Sequence, residues 1–209
     1  MKLLHLDSSI LGETSVSRSV SAAIVAAIRQ AVPGIEVVRR DLVAEPLAHL
    51  TLSSLPNQYP LAGGAVSSHP SEAHRLAGEA VLAEFLASDI VVIGAPMYNF
   101  TVPTQLKAWI DRIVITGKSF YYTPEGVPVG LCGDKRVIVA VSRGGFYGKA
   151  TAQAGDEHLE TYLTSIFRFI GVKRLEFVVA EGIQISPDQR RTSHEAALRT
   201  ARAFSLGQS

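Results

Sequence analysis

Three short stretches of this 209-residue chain combine residue types that suit ligand binding better than packing. The first reads Ser8-Ser9-Ile10-Leu11-Gly12-Glu13-Thr14-Ser15-Val16-Ser17-Arg18-Ser19. It places hydroxyls and a glycine where an apolar run gives way to a helical pattern. Backbone N–H groups at a helix start, with hydroxyls beside them, hold a phosphate without needing a lysine. Taken alone, the stretch also fits an ordinary capped Ser-rich turn. It is not the G-x-G-x-x-G of a dinucleotide-binding turn, and no P-loop is present, because Gly148-Lys149 is followed by Ala150.

The second stretch is Ala95-Pro96-Met97-Tyr98-Asn99-Phe100-Thr101-Val102-Pro103. Between two prolines it holds aromatic rings, an amide and backbone polar groups, a set that suits a planar heteroaromatic ligand with hydrogen-bonding edges. The same aromatics could instead fill core. The third is Ser142-Arg143-Gly144-Gly145-Phe146-Tyr147-Gly148. Adjacent glycines let backbone N–H groups approach a ligand closely, or form a plain flexible turn.

Positioning these stretches requires a scaffold, and the apolar pattern supplies one. Residues 2–6, 35–39, 90–95, 136–141 and 174–180 read as five strands. The third and fourth are almost wholly apolar, as expected of parallel strands covered on both faces. Residues 17–31, 71–86, 103–115, 151–170 and a segment opening at Ser186-Pro187 read as helices, with 47–55 a further short one. Residues 57–70, rich in Gly, Pro and Ser, read as a long loop that shapes an acceptor pocket. Residues 120–129 read as an aromatic excursion turning at Glu125-Gly126. The alternation predicts an α/β fold, a doubly wound five-stranded parallel sheet of order 2-1-3-4-5 with helices on both faces. All 209 residues are expected to form one domain, with no linker or repeat. In such sheets ligands bind at the carboxyl ends of the strands, where all three stretches fall.

Composition narrows the classes. The net charge is +1 with no basic run, so nucleic acid and acidic membrane surfaces are poor partners, and Arg39-Arg40 and Arg190-Arg191 read as solvated pairs. The lone Cys132 reads as an apolar filler and excludes an intrachain disulfide. The six histidines are scattered, with no His-x-x-x-His pair, so no metal site is expected. Asp7 follows Lys2 closely without a small-residue cleavage site, and no apolar run approaches a membrane span; the expected location is the cytoplasm. A phosphate site and a planar-ring site without a dinucleotide fingerprint point to a mononucleotide, and in this sheet type to FMN.

The stretches Ala95-Pro96-Met97-Tyr98-Asn99-Phe100, Pro103-Thr104-Gln105-Leu106-Lys107 and Ser142-Arg143-Gly144-Gly145, with Phe169-Ile170-Gly171 and Ala180-Glu181-Gly182-Ile183, resemble the bacterial FMN-dependent NADH:quinone reductases and azoreductases. The resemblance spans nearly the whole chain. It implies a flavodoxin-like fold and a homodimer with FMN sites at the subunit interface. By resemblance, Ser9, Ser15, Val16 and Ser17 hold the phosphate and ribityl chain, Met97, Tyr98, Asn99 and Phe100 flank the isoalloxazine, and Ser142, Arg143, Gly144 and Gly145 cover its polar edge. Phe100, Phe120, Tyr122, Tyr147 and Phe169 would line the substrate pocket, with Phe120, Tyr122 and Phe169 of one subunit above the flavin of the other. Val16 stands where family members often have Gln, and Tyr147 where many have His. The implied activity is ping-pong: NADH or NADPH delivers a hydride, then quinones, aromatic azo compounds or nitro-aromatics take the electrons. The cofactor carries the chemistry, so no side-chain nucleophile is needed. A flavodoxin-type electron carrier and a flavin-free binding domain are the competing readings; the first is usually smaller and strongly acidic.

Overall fold

A computed structural model describes residues 1–51 and 72–204. Five parallel strands, β1 (Lys2–Asp7), β2 (Glu36–Asp41), β3 (Ile90–Pro96), β6 (Arg136–Ser142) and β7 (Arg174–Ala180), form one sheet in the order β2-β1-β3-β6-β7. The expected order is thus observed, with β6 and β7 as the fourth and fifth sheet strands. Between α3 (Thr104–Ile113) and β6 in the chain, β4 (Phe120–Tyr122) and β5 (Pro128–Gly130) pair antiparallel as a hairpin around the expected turn at Glu125-Gly126.

Side chains alternate across the strands and so feed two cores. Leu4, Leu6, Val91, Ile93, Val137, Val139 and Val141 face α2 (Glu72–Ala87), α3 (Thr104–Ile113) and α4 (Leu159–Phe169). Leu3, Ile90, Val92, Ile138 and Ala140 face α1 (Val16–Ala31) and α5 (Pro187–Arg202). Every residue of β3 and β6 is buried, which is why these runs carry no polar alternation. Arg136 keeps its place there by pairing with Glu176 across the sheet at 2.7 Å. The only tryptophan, Trp109, is fully buried and meets Phe85 edge-on at 5.7 Å.

Helix ends follow local chemistry. Ser15 caps α1 by accepting from the Arg18 N–H, and Ser186 caps α5 by accepting from Gln189, with Pro187 in its first turn. One expected helix is shorter than its sequence suggests. Residues 151–158 form turns and a single 3-10 turn at Ala154–Asp156, and α4 starts only at Leu159. The Glu157 carboxylate ends that irregular stretch by accepting from the N–H groups of Leu159, Glu160 and Thr161. The expected short helix at 47–55 is not formed over 47–51, and its remainder lies outside the described residues, as does the loop 57–70. Arg40 corrects a third expectation: it is not a solvated cation but grips Glu84 through two hydrogen bonds of 2.9 and 2.6 Å. Cys132 is buried, and burial pushes its thiol up. No helix among the described residues is long and apolar enough to cross a membrane.

Candidate active site: three loops at the carboxyl edge

β1, β3 and β6 are adjacent in the sheet and each runs into one of the three stretches. The loops are tied together. Met97 donates from its N–H to the Ser142 carbonyl at 2.8 Å, joining the loops after β3 and β6. The Tyr98 hydroxyl lies 3.1 Å from Ser9 Oγ and accepts from the Ile10 N–H at 3.3 Å, joining the loops after β1 and β3. The Phe100 and Tyr147 rings meet edge-on at 6.2 Å.

The loop after β1 makes a 3-10 turn at Gly12–Thr14 and enters α1 at Val16. Ser9, Ser15 and Ser17 are buried, and the Ser15 and Ser17 hydroxyls sit 3.1 Å apart. Among the described residues the N–H groups of Val16 and Ser17 have no acceptor, as the first turn of a helix leaves them. That turn carries the positive end of the helix dipole. The Val16 side chain is buried against the core, so the group it has left to offer a ligand is its N–H. Gly94 permits the placement: a Cβ there would stand 2.9 Å from Asp7 Oδ1 and 3.3 Å from the Ser17 carbonyl. A glycine in β3 thus eases the close approach of the first turn of α1 to the sheet.

The loop after β3 is a tight turn. Tyr98 and Thr101 exchange both backbone hydrogen bonds, and the two residues between them hold left-handed backbone, Asn99 at φ 47° and Phe100 at φ 73°. Asn tolerates that region; Phe does not, and such strain concentrates at functional sites. The turn leaves Phe100 48% exposed and the N–H groups of Asn99 and Phe100 without an acceptor among the described residues. Met97 is half-buried against the core.

The loop after β6 is held from behind. Gly182, Ile183 and Gln184 donate to the carbonyls of Gly145, Arg143 and Gly144, and Tyr147 donates to the Glu181 carboxylate. The Gly144 and Gly145 N–H groups find no acceptor among the described residues. Arg143 is buried between Glu160 and Glu181, and burial pulls its guanidinium below the usual range. Its side chain is thus tied to carboxylates of its own chain, and beside it the Gly144 and Gly145 N–H groups and the Phe146 and Tyr147 rings are what the loop has to offer a ligand.

The remaining pocket candidates cluster elsewhere. The Phe120 ring lies 4.6 Å from Phe169 at a tilt of 56° and meets Tyr122 edge-on at 5.5 Å, and no ring contact joins this group to Phe100 or Tyr147 among the described residues. Gly130 sets that position: a Cβ on it would come within 2.2 Å of the Gly171 nitrogen, so the hairpin base lies directly on the end of α4. Tyr121, Tyr122 and Val127 stand exposed at its outer part.

Sequence reading missed the residues that carry these loops: Arg18, Asp41, Gly94, Glu181 and Arg190. Gly94 alone had a local signal, a glycine inside an otherwise β-branched run. Among the described residues no three His, Cys, Asp or Glu side chains gather to hold a metal.

Comparison with known proteins agrees with this geometry. The flavodoxin-like fold family model matches residues 1–204. The FMN-dependent NADH:quinone oxidoreductase 2 of Bradyrhizobium diazoefficiens is 57% identical over 201 residues, covering 96% of this chain and 97% of that protein. The FMN-dependent NADH:quinone oxidoreductase of Gluconacetobacter diazotrophicus is 55% identical over 205 residues, covering 98% and 99%. The crystal structure of an azoreductase from Bacillus anthracis superposes with a TM-score of 0.83 at 32% identity, over 98% of this chain and all of that one. With fold, loop edge and near-complete relatives in accord, this chain belongs to the flavodoxin-like family of FMN-dependent NADH:quinone oxidoreductases.

Proposed function

We propose that the chain, acting as a single FMN-binding domain, is an FMN-dependent oxidoreductase that takes hydride from NADH and reduces quinones and aromatic azo compounds. The observation that carries the reading is the set of N–H pairs without acceptors among the described residues, at Val16 and Ser17, Asn99 and Phe100, and Gly144 and Gly145, on three adjoining loops. Their spacing along one sheet edge suits a ligand with a phosphate at one end and a polar-edged ring at the other. The relatives' names supply the cofactor and the reaction, and the donor set fits that cofactor.

Bound FMN supplies the two-electron exchange of hydride. The protein supplies binding and electrostatics. Ser9, Ser15 and Ser17 hydroxyls with the Val16 and Ser17 N–H groups would receive the phosphate at the dipole end of α1. Met97 to Phe100 would wall the ring. The Gly144 and Gly145 N–H groups would face negative charge gathering on the ring's polar edge, a fixed donor pair that needs no reorganisation. Phe100 and Tyr147 would form an aromatic slot that excludes water and accepts flat molecules. The Phe120–Phe169 group, standing apart from its own chain's loops, would complete the slot of a second subunit, which favours a homodimer. Nitro-aromatics fit the same slot, and the expected compartment is the cytoplasm.

The test is a steady-state assay of the FMN-loaded protein with NADH or NADPH against menadione, an azo dye and a nitro-aromatic. Turnover of quinone and dye with NADH is expected. A flavin-loaded protein that turns over neither would point to an electron carrier.

A further inference from the structure

Resting on the FMN reading above, we propose that Arg18 is a positioning residue for the cofactor phosphate: it fixes the Ser9–Ile10 peptide by its carbonyl and is itself anchored on Asp41 at the end of β2. Arg18 Nε and Nη2 donate to the Ser9 carbonyl at 3.2 and 2.8 Å. Nη1 and Nη2 donate to the two Asp41 oxygens at 2.5 and 2.8 Å, a forked pair that Lys could not reproduce. Asp41 is held in turn by the N–H groups of Val43 and Ala44.

The geometry matters because a peptide unit is planar and trans, so its C=O and N–H point in opposite directions. Arg18 holds the carbonyl of the Ser9–Ile10 peptide. The N–H of the same peptide therefore turns the other way, where it reaches the Tyr98 hydroxyl, which also contacts Ser9 Oγ. The Arg18 grip thus sets the direction in which Ser9 and its neighbours present donors. At the far end of the loop Arg190, from α5, donates to the Thr14 carbonyl at 2.9 Å. The loop is held by its carbonyls at both ends. Because Arg18 is neutralised by Asp41 and only 11% exposed, its role is geometric rather than a general attraction for anions.

The experiment titrates apoprotein with FMN and with riboflavin, which lacks the phosphate, following quenching of flavin fluorescence. In Arg18→Met the FMN affinity falls about tenfold or more, the loss of a charge-assisted anchor, while the riboflavin affinity is unchanged. Arg18→Lys stays close to Arg18→Met, and Asp41→Asn, which keeps the arginine, shows a smaller loss of the same selectivity. Equal weakening of both flavins, or full recovery in Arg18→Lys, overturns the proposal. Should Arg18→Met not fold, Asp41→Asn carries the same test: wild-type FMN selectivity in that variant overturns it. Wild-type protein that binds FMN no better than riboflavin would instead bring down the phosphate-cradle reading itself.

Discussion

The loops at the carboxyl edge and the β4–β5 hairpin are placed by different kinds of contact. At the edge, directional bonds from distant parts of the chain do the positioning: Met97 to Ser142, Ile10 to Tyr98, Arg18 to Ser9 and Asp41, and Gly182 to Gly145. The hairpin instead rests on shape, with Gly130 pressed onto Gly171 and Phe120 onto Phe169. Directional bonds fix donors to within the tolerance a cofactor needs, at the cost of burying charge in pairs. Close packing fixes a surface but aims no donor. The contrast is in keeping with the proposed division, in which the first region would bind the cofactor and the second would contact the acceptor.

The largest effect that would sharpen this contrast is expected at Gly130. A Cβ there meets backbone, which cannot swing aside. Gly130→Ala should lower stability by about 1–3 kcal/mol or more, as overpacking does, and displace the hairpin. Thermal melts and quinone turnover should both fall while the FMN dissociation constant of the folded fraction holds. A parallel loss of FMN affinity would break the comparison. Next in size, Ser17→Ala removes a buried hydroxyl from the cradle and should weaken FMN about tenfold without changing hairpin-dependent acceptor preference, read as relative turnover of quinone and dye.

A smaller and opposite effect is expected at Phe100. Its left-handed backbone is strained, so Phe100→Gly should raise apoprotein stability by about 1 kcal/mol in denaturant melts while lowering turnover, because the slot loses a wall. An unchanged midpoint would show that the turn carries no strain. The smallest effect concerns acid. The hydrogen bonds from Arg18 hold the Asp41 carboxyl at about 2, against an ordinary 3.8. A depressed carboxylate stabilises the fold fully above its ordinary value, and that contribution is lost as pH falls from 3.8 toward 2. Asp41→Asn should flatten that part of the stability profile, measured by melts across the acid range.

The sheet was readable because its central strands are buried on both faces and are therefore apolar without alternation. The loops were readable because Ser, Gly and Pro mark where the chain must turn. The start of α4 was misjudged because turn-forming residues 151–158 were joined to a helix whose apolar positions, Leu159, Tyr162, Leu163, Ile166 and Ile170, all lie at or beyond residue 159. The Arg18–Asp41 anchor was invisible for another reason. Its partners lie 23 positions apart and meet only once β1 and β2 pair. The pairing of Arg143 with Glu160 and Glu181 was equally hidden, because the chain delivers those carboxylates from α4 and from just beyond β7. The single glycine inside β3 was a local sign of close approach, and its meaning needed the position of α1.

In the proposed function these three loops bind FMN, and the bound cofactor mediates between NADH and a quinone. The most direct measurement is the absorbance of the FMN-reconstituted protein at about 450 nm, where oxidised flavin absorbs, under anaerobic addition of NADH followed by menadione. Bleaching by NADH and recovery with menadione is the predicted result; apoprotein that gains no flavin band with FMN, or a band that NADH leaves untouched, would contradict it.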